Sequence, residues 1–152
     1  MKIKLNEYEV NIANAIGTAR TSFSDARGHC QKNTNHTPAK FVEYDKQGAR
    51  GEIAFCKMHN IFPDLTPGPD KWDCILPTGE KVDVKTTSMV DSDLMACRKS
   101  YQEVDLIAMV EEVGNEYTLV GTIDAETMTQ DKYLEPRGSD LIYMVPREEL
   151  EI

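Results

Sequence analysis

The 152-residue chain contains no apolar run near the ~18 residues that a membrane-spanning helix requires. Its opening stretch, MKIKLNEYEV, lacks the apolar core of a secretory signal. Both absences predict a soluble, cytoplasmic protein without a membrane partner. Cysteine is sparse. Cys30, Cys56, Cys74 and Cys97 stand at irregular intervals, which predicts reduced thiols rather than a disulfide framework. There is no internal repeat, low-complexity tract or linker, so residues 1–152 are expected to form a single domain. A Gly-rich phosphate loop and a Ser-His-Asp pattern are missing too, and nucleotide-loop and triad chemistry go with them.

Charge is present in quantity but unevenly. The net charge of −9 argues against nucleic acid as a partner when taken whole. Residues 1–60, however, carry 9 Lys/Arg against 6 Asp/Glu, and the rest of the chain carries 8 against 20. That asymmetry predicts a basic contact surface in the first part and an acidic centre in the second.

The pattern predicts an α/β domain with a mixed sheet. Asn6 and Glu9 have the spacing of a capping box, with Leu5 and Val10 as a hydrophobic staple. Ile12, Ile16, Ala19 and Phe23 then recur at helical spacing. A long polar loop, SDARGHCQKNTNHTPAK, follows. A second helix is expected from Phe41 to His59, with Ala49, Ile53 and Cys56 as its buried stripe and Asn60 at its end. EVDLIAMVEE and EYTLVGTID read as strands around a turn at Gly114 and Asn115. Asp124 is placed to cap a short helix, and DLIYMV reads as a last strand before one helical turn, PREEL.

The most informative stretch is KWDCILPTGEKVDVKTT, residues 71–87. A three-residue loop, Pro77-Thr78-Gly79, suits a type I turn followed by a left-handed glycine. It pairs Leu76 with Glu80 and sets Asp73 opposite Asp83. A two-residue loop would force positive φ on the β-branched Thr78. With a side-chain period of 2, Asp73, Asp83 and Lys85 share one face, and Trp72, Cys74, Val82 and Val84 share the other. Asp70 would fall on that other face, so Asp73 is preferred to it, with Asp70 as the alternative. Like charges directly opposite are destabilising. A carboxylate pair resolves this by sharing a proton or by binding a cation, and hard oxygens favour Mg²⁺ or Mn²⁺. With Lys85 beside them, two carboxylates and a divalent ion make a site for phosphodiester hydrolysis.

The run WDCILPTGEKVDVKTT, preceded by the helical Glu52 in GEIAF, resembles the PD-(D/E)XK nuclease superfamily. Asp83-Val84-Lys85 match the (D/E)XK part, Asp73 matches the separate acidic residue, and Glu52 matches a glutamate common on the family's preceding helix. By element order the likeness runs from about Gln47 to Val145; EVDLIAMV and YTLVGTID look like the later core strands, as in small phage-encoded members, and a phage-encoded protein would act in the host cytoplasm. It implies a restriction-endonuclease-like αβββαβ core, with a central mixed sheet flanked by helices and an extra N-terminal helix and polar loop. It implies a Mg²⁺- or Mn²⁺-dependent DNA endonuclease, with branched or structured DNA, and RNA, as open alternatives. Asp73 and Asp83 would be metal ligands with the Val84 carbonyl. Glu52 would complete the metal shell or serve a second ion, and Lys85 would orient the attacking water. Cutting both strands of a duplex needs two sites, so a homodimer is the expected assembly. The competing reading is a non-catalytic nucleic-acid-binding module that keeps the fold.

Arg20, Arg27, Lys32, Lys40, Lys46 and Arg50 surround the polar loop and are the expected phosphate contacts. His29, Cys30, His36, Cys56 and His59 could supply zinc, but their spacing matches no standard module. Cys56 reads better as a small core residue.

Overall fold

The computed structural model describes residues 1–24, 38–65 and 72–152. Strand β1 (Lys2–Lys4) leads into α1 (Glu7–Ser24), then α2 (Pro38–Met58). The hairpin strands are β2 (Cys74–Ile75) and β3 (Lys81–Thr87), followed by β4 (Leu94–Cys97), β5 (Leu106–Val113) and β6 (Glu116–Asp124). The one-turn α3 (Ala125–Met128) precedes β7 (Leu134–Arg137) and β8 (Asp140–Val145). A five-stranded mixed sheet has the order β1-β6-β5-β3-β2, and a second sheet has the order β4-β8-β7. β3 and β5 run parallel; the other pairings are antiparallel.

The chain is therefore α/β with a mixed sheet; α2 covers one face of that sheet, and the second sheet together with the short α3 covers the other. Ala54, Phe55 and Cys56 of α2 meet Val82, Val84, Ala108 and Val110 in one apolar cluster. On the other face Ile107, Met109 and Ile123 meet Leu94, Ala96, Tyr143 and Val145 of the second sheet. The expected sheet flanked by helices is joined by an element that was not expected, the second sheet. The apolar alternation of LMAC and DLIYMV needed a partner sheet, and the four residues of α3 are too few to cover a sheet face alone. Because β5 is covered on both faces, it reads as a continuous apolar run. Its two acidic residues are buried but paired. Glu111 receives hydrogen bonds from Arg147 Nη1 and the Asp91 amide, and Glu112 is gripped by Arg50 at 2.8 Å from both Nε and Nη2.

Local rules explain most boundaries. The Asn6 amide donates to Glu9 Oε2 (2.7 Å) and the Glu9 amide to Asn6 Oδ1 (2.9 Å), so the capping box forms as expected. Asn60 takes φ +53°, the Ile61 amide donates to Cys56 O and the Asn60 amide to Lys57 O. Those two bonds close α2 in a Schellman motif. The helix starts at Pro38, three residues earlier than expected, as a first-turn proline allows. α1 differs more. Its buried line is Ala13, Gly17 and Thr21, while Ile12 is 52 % exposed and Ala19 is also exposed. A Cβ on Gly17 would stand 2.4 Å from Lys46 Cα, so the two helices cross backbone to backbone. Small residues, not large apolar ones, mark that contact.

Asp124 occupies the N-cap position of α3 without a side-chain capping bond. Among the described residues, no helix is long and apolar enough to cross a membrane.

Candidate functional site

The hairpin has the register that its turn demands. Cys74 faces Val82, Ile75 faces Lys81, the Leu76 amide donates to Glu80 O, and Gly79 takes φ +97°. The paired register ends at Cys74, and Asp73 just before it comes within hydrogen-bonding reach of Asp83. β2 is only two residues long, so among the described residues no strand pairs with the outer edge of β3 beyond Val82. The Asp73 amide donates to Val82 O, and its carboxylate then takes the Val84 amide at 2.6 Å in place of a strand carbonyl. Backbone N–H and C=O of one strand residue point the same way, so the Val84 carbonyl also faces this edge. Trp72 departs from expectation: it packs against the cluster under the second sheet, with Lys81 Nζ 4.3 Å from its ring centroid, while Cys74, Val82 and Val84 face α2.

Asp83 and Lys85 project from the side of β3 that faces the second sheet. Lys85 Nζ donates to Asp83 Oδ1 (2.7 Å) and Oδ2 (2.9 Å). Glu52 comes from α2, and Arg20 of α1 reaches it: Nη1 lies 2.6 Å from Oε1 and 2.7 Å from Oε2, and Nη2 donates to Asp64 O at 3.4 Å. Glu52 and Asp83 are 7 % and 4 % exposed. The approach of α2 depends on Gly51, where a Cβ would fall 1.8 Å from Thr86 Oγ1. Thus the outer edge of β3 gathers Glu52, Asp73, Asp83 and Lys85, the residues singled out in the sequence.

The carboxylates differ in their electrostatics. Burial, then the charges of Glu52 and Asp83, push Asp73 well above the usual carboxylate range. Burial acts the same way on Asp83, but Lys85, Lys99 and a hydrogen bond from Asp73 outweigh it and hold Asp83 below that range. Burial raises Glu52 against the opposing pull of Arg20. Desolvation works against the Lys85 charge, but Asp83, Tyr101 and Asp73 together outweigh it and push Lys85 up. The like-charge conflict is thus divided unequally: Asp73 is driven toward its neutral form and Asp83 toward its charged form.

Two residues at this edge were not singled out in the sequence. Lys99 Nζ lies 3.6 Å from Asp83 Oδ2 with its side chain 47 % exposed. Tyr101 is buried, donates its hydroxyl to Cys97 O, and is pushed up to about 12 by burial and by the Asp83 charge, against Lys85. Both follow β4, whose pairing with β8 brings them here; no local spacing signals that. A cavity of about 800 Å³ opens beside them, lined also by Glu80, Asp105, Asp124 and Glu126.

The expected phosphate contacts divide. Lys40 is exposed on α2, and Lys46 pairs with Glu43 at 3.3 Å. Arg20 is committed to Glu52, and Arg50 to Glu112 and Asn14, so neither guanidinium faces solvent as a phosphate contact would. Arg27, Lys32, His29, Cys30, His36 and Asp70 lie outside the described residues. Cys56 and His59 do not converge. Cys56 is a buried free thiol that hydrogen-bonds Cys74, and His59 Nδ1 bonds Phe55 O at 2.9 Å with its ring 4.2 Å from that of Phe55. Cys97 is disulfide-bonded, which corrects the expectation of reduced thiols at that position. As they stand, no three Asp, Glu, His or Cys side chains among the described residues form a ready metal cage. No family model matches the chain, and no curated protein or solved structure does so either.

Proposed function

We propose that the protein is a metal-dependent nuclease that hydrolyses phosphodiester bonds in DNA, on a variant of the restriction-endonuclease-like core. α2, β2, β3 and β5 stand for the first elements of that core, and α3 is its reduced second helix. The observation that carries the reading is Asp73 set against Asp83 at a strand edge, with Lys85 beside them. A carboxylate pair in which burial drives one member toward its neutral form is a pair that a divalent ion relieves, and hard oxygen donors suit Mg²⁺ or Mn²⁺. Asp73, Asp83 and the Val84 carbonyl would hold the ion.

When bound, that ion would supply Lewis-acid polarisation of the phosphate and a more acidic water. The side chains of this protein do the rest. Lys85, a charged amine with three donors and no acceptor, orients the attacking water or a phosphate oxygen. Lys99 is half exposed beside Asp83 and neutralises the phosphate as negative charge builds on it. The four carboxylates lining the neighbouring cavity repel a phosphate backbone, so the nucleic acid approaches from the side of α2 and meets that cavity only at its Lys99 rim.

The test is cleavage of linear, branched and single-stranded DNA, and of RNA, with Mg²⁺, Mn²⁺ or EDTA. Metal-dependent cleavage is expected, lost in Asp73→Asn and Lys85→Ala with circular dichroism unchanged. No cleavage of any substrate with either ion refutes the enzymatic reading. Cleavage that survives in both variants refutes the site.

A further inference from the structure

The three carboxylates at the edge of β3 are not equivalent toward a cation. Asp83 has Lys85 against both of its oxygens, and Glu52 has Arg20 against both of its own. Asp73 has a backbone amide and no ion pair among the described residues.

The two occupied positions differ in how firmly they are held. Lys85 is two residues from Asp83 on the same strand, and its single ammonium, bonded to that one carboxylate among the described residues, can pivot toward a phosphate or a water. Arg20 comes from another helix, and its guanidinium is fixed at two points, by Glu52 and by the Asp64 carbonyl. One nitrogen, Nη1, sits 2.6 and 2.7 Å from the two Glu52 oxygens. That is the chelating position which a cation bound by both carboxylate oxygens would take. A guanidinium stays protonated in proteins, so it cannot give way by losing its proton. The pair is buried, with side chains 15 % and 10 % exposed, and expelling Arg20 would leave its charge without a partner in a poorly solvated place.

We infer that this site takes one divalent ion per chain, at Asp73 and Asp83, and that Arg20 stands in at Glu52 for a second ion. The inference rests on the proposed metal site and specifies its stoichiometry. Glu52 is then a positioning residue. It anchors Arg20 and sets the charge felt by the aspartates, without ligating the ion. The substrate side follows: with a single ion, the second stabilising charge on the phosphate must come from Lys85 and Lys99.

The experiment is titration of the full-length chain with Mn²⁺ in the absence of nucleic acid, read by calorimetry for stoichiometry and by electron paramagnetic resonance for spin coupling between neighbouring ions. Wild type should bind one Mn²⁺ with an uncoupled spectrum. Glu52→Gln should still bind one, with affinity changed by no more than about threefold, below the roughly 10–100-fold range seen when groups supporting a metal's ligands are lost. Arg20→Ala and Arg20→Met should admit a second ion and give a coupled spectrum. Two coupled ions in wild type, a loss of tenfold or more in Glu52→Gln, or a single ion in folded Arg20 variants would each overturn the inference while leaving the nuclease reading in place. If the Arg20 variants do not fold, the wild-type count and Glu52→Gln decide the matter. No Mn²⁺ binding to wild type removes the metal site itself, and the inference with it.

Discussion

Two glycines three positions apart on α2 should respond to the same substitution with opposite sign. Gly48→Ala places a methyl where no atom lies within 4 Å. It should stabilise by about 1 kcal/mol, the usual gain of alanine over glycine in a helix. Gly51→Ala gains the same propensity but puts the methyl 1.8 Å from Thr86 Oγ1 and 2.8 Å from both Thr86 Cβ and Cγ2. Rotating Thr86 relieves the first contact and leaves Cβ too close, so α2 must lift from β3. Such overpacking costs about 1–3 kcal/mol, and the fixed Cβ puts this case near about 3, for a net loss of about 2. In a chain of this size 1 kcal/mol moves the melting temperature by about 2–4 °C, so Gly51→Ala should melt about 4–8 °C lower and Gly48→Ala about 2–4 °C higher. Urea denaturation followed by circular dichroism gives the free energies directly. Because Gly51 neighbours Glu52 and Thr86 follows Lys85, nuclease activity should fall in Gly51→Ala and not in Gly48→Ala. Equal stabilisation by both substitutions would refute the close approach of α2 to β3, and with it the way Glu52 is brought to the aspartates.

The two aspartates should also part company. Asp73 has a raised pKa, so its ionisation opposes folding at any pH above its unfolded value. Stability falls as pH rises through that value toward the folded one, and Asp73→Asn should raise the melting temperature at pH 7.5 but change little near pH 3, where both forms are neutral. Asp83 has a lowered pKa, so its contribution is present above the unfolded value and is lost on acidification; Asp83→Asn leaves Lys85 buried without its anion and should cost about 3 kcal/mol at neutral pH. The same sign for both variants in urea titrations would disprove the opposite shifts of the two aspartates. Lys99→Ala should reduce cleavage with the melting temperature held within about 2 °C, as expected of an exposed charge, whereas Arg50→Ala should lose about 3–5 kcal/mol by stranding Glu112. A stable, folded Arg50→Ala with weaker DNA binding would return Arg50 to the phosphate-contacting set.

What could be read in the sequence was local. The Asn6–Glu9 box, the Asn60 stop and the Pro77-Thr78-Gly79 turn each depend on residues a few positions apart, and the hairpin register followed from the left-handed φ that Gly79 supplies. That register carries the chain as far as Cys74; the alternation expected before it fails at Trp72, which turns to the other face. What escaped depends on distant pairing. β4 has an apolar period but meets its partner only at β8, so neither the second sheet nor the placement of Lys99 and Tyr101 could be foreseen. Arg20 and Arg50 were read as surface cations because nothing adjacent in sequence neutralises them; their partners are 32 and 62 residues away. The α1–α2 crossing was missed for a different reason. Its contact is made by Gly17 and Ala13, which a search for large apolar side chains passes over.

The wandering of β4 has a consequence for how the molecule is made. The parallel pair β3–β5 is joined by a segment that leaves for the second sheet, and β4 stays without its partner until β8, starting at Asp140, has been synthesised. At about 5–20 residues per second the interval between the ends of β4 and β8 is roughly 2–10 s. During that interval the nascent chain can already pair β3, β5 and β6, with Ile107, Met109 and Ile123 bare on one face. Lys99 and Tyr101 are seated last, when β8 closes over that face. A partly translated chain would carry the aspartates without their full surroundings, and its uncovered sheet is the surface on which a holding chaperone would act.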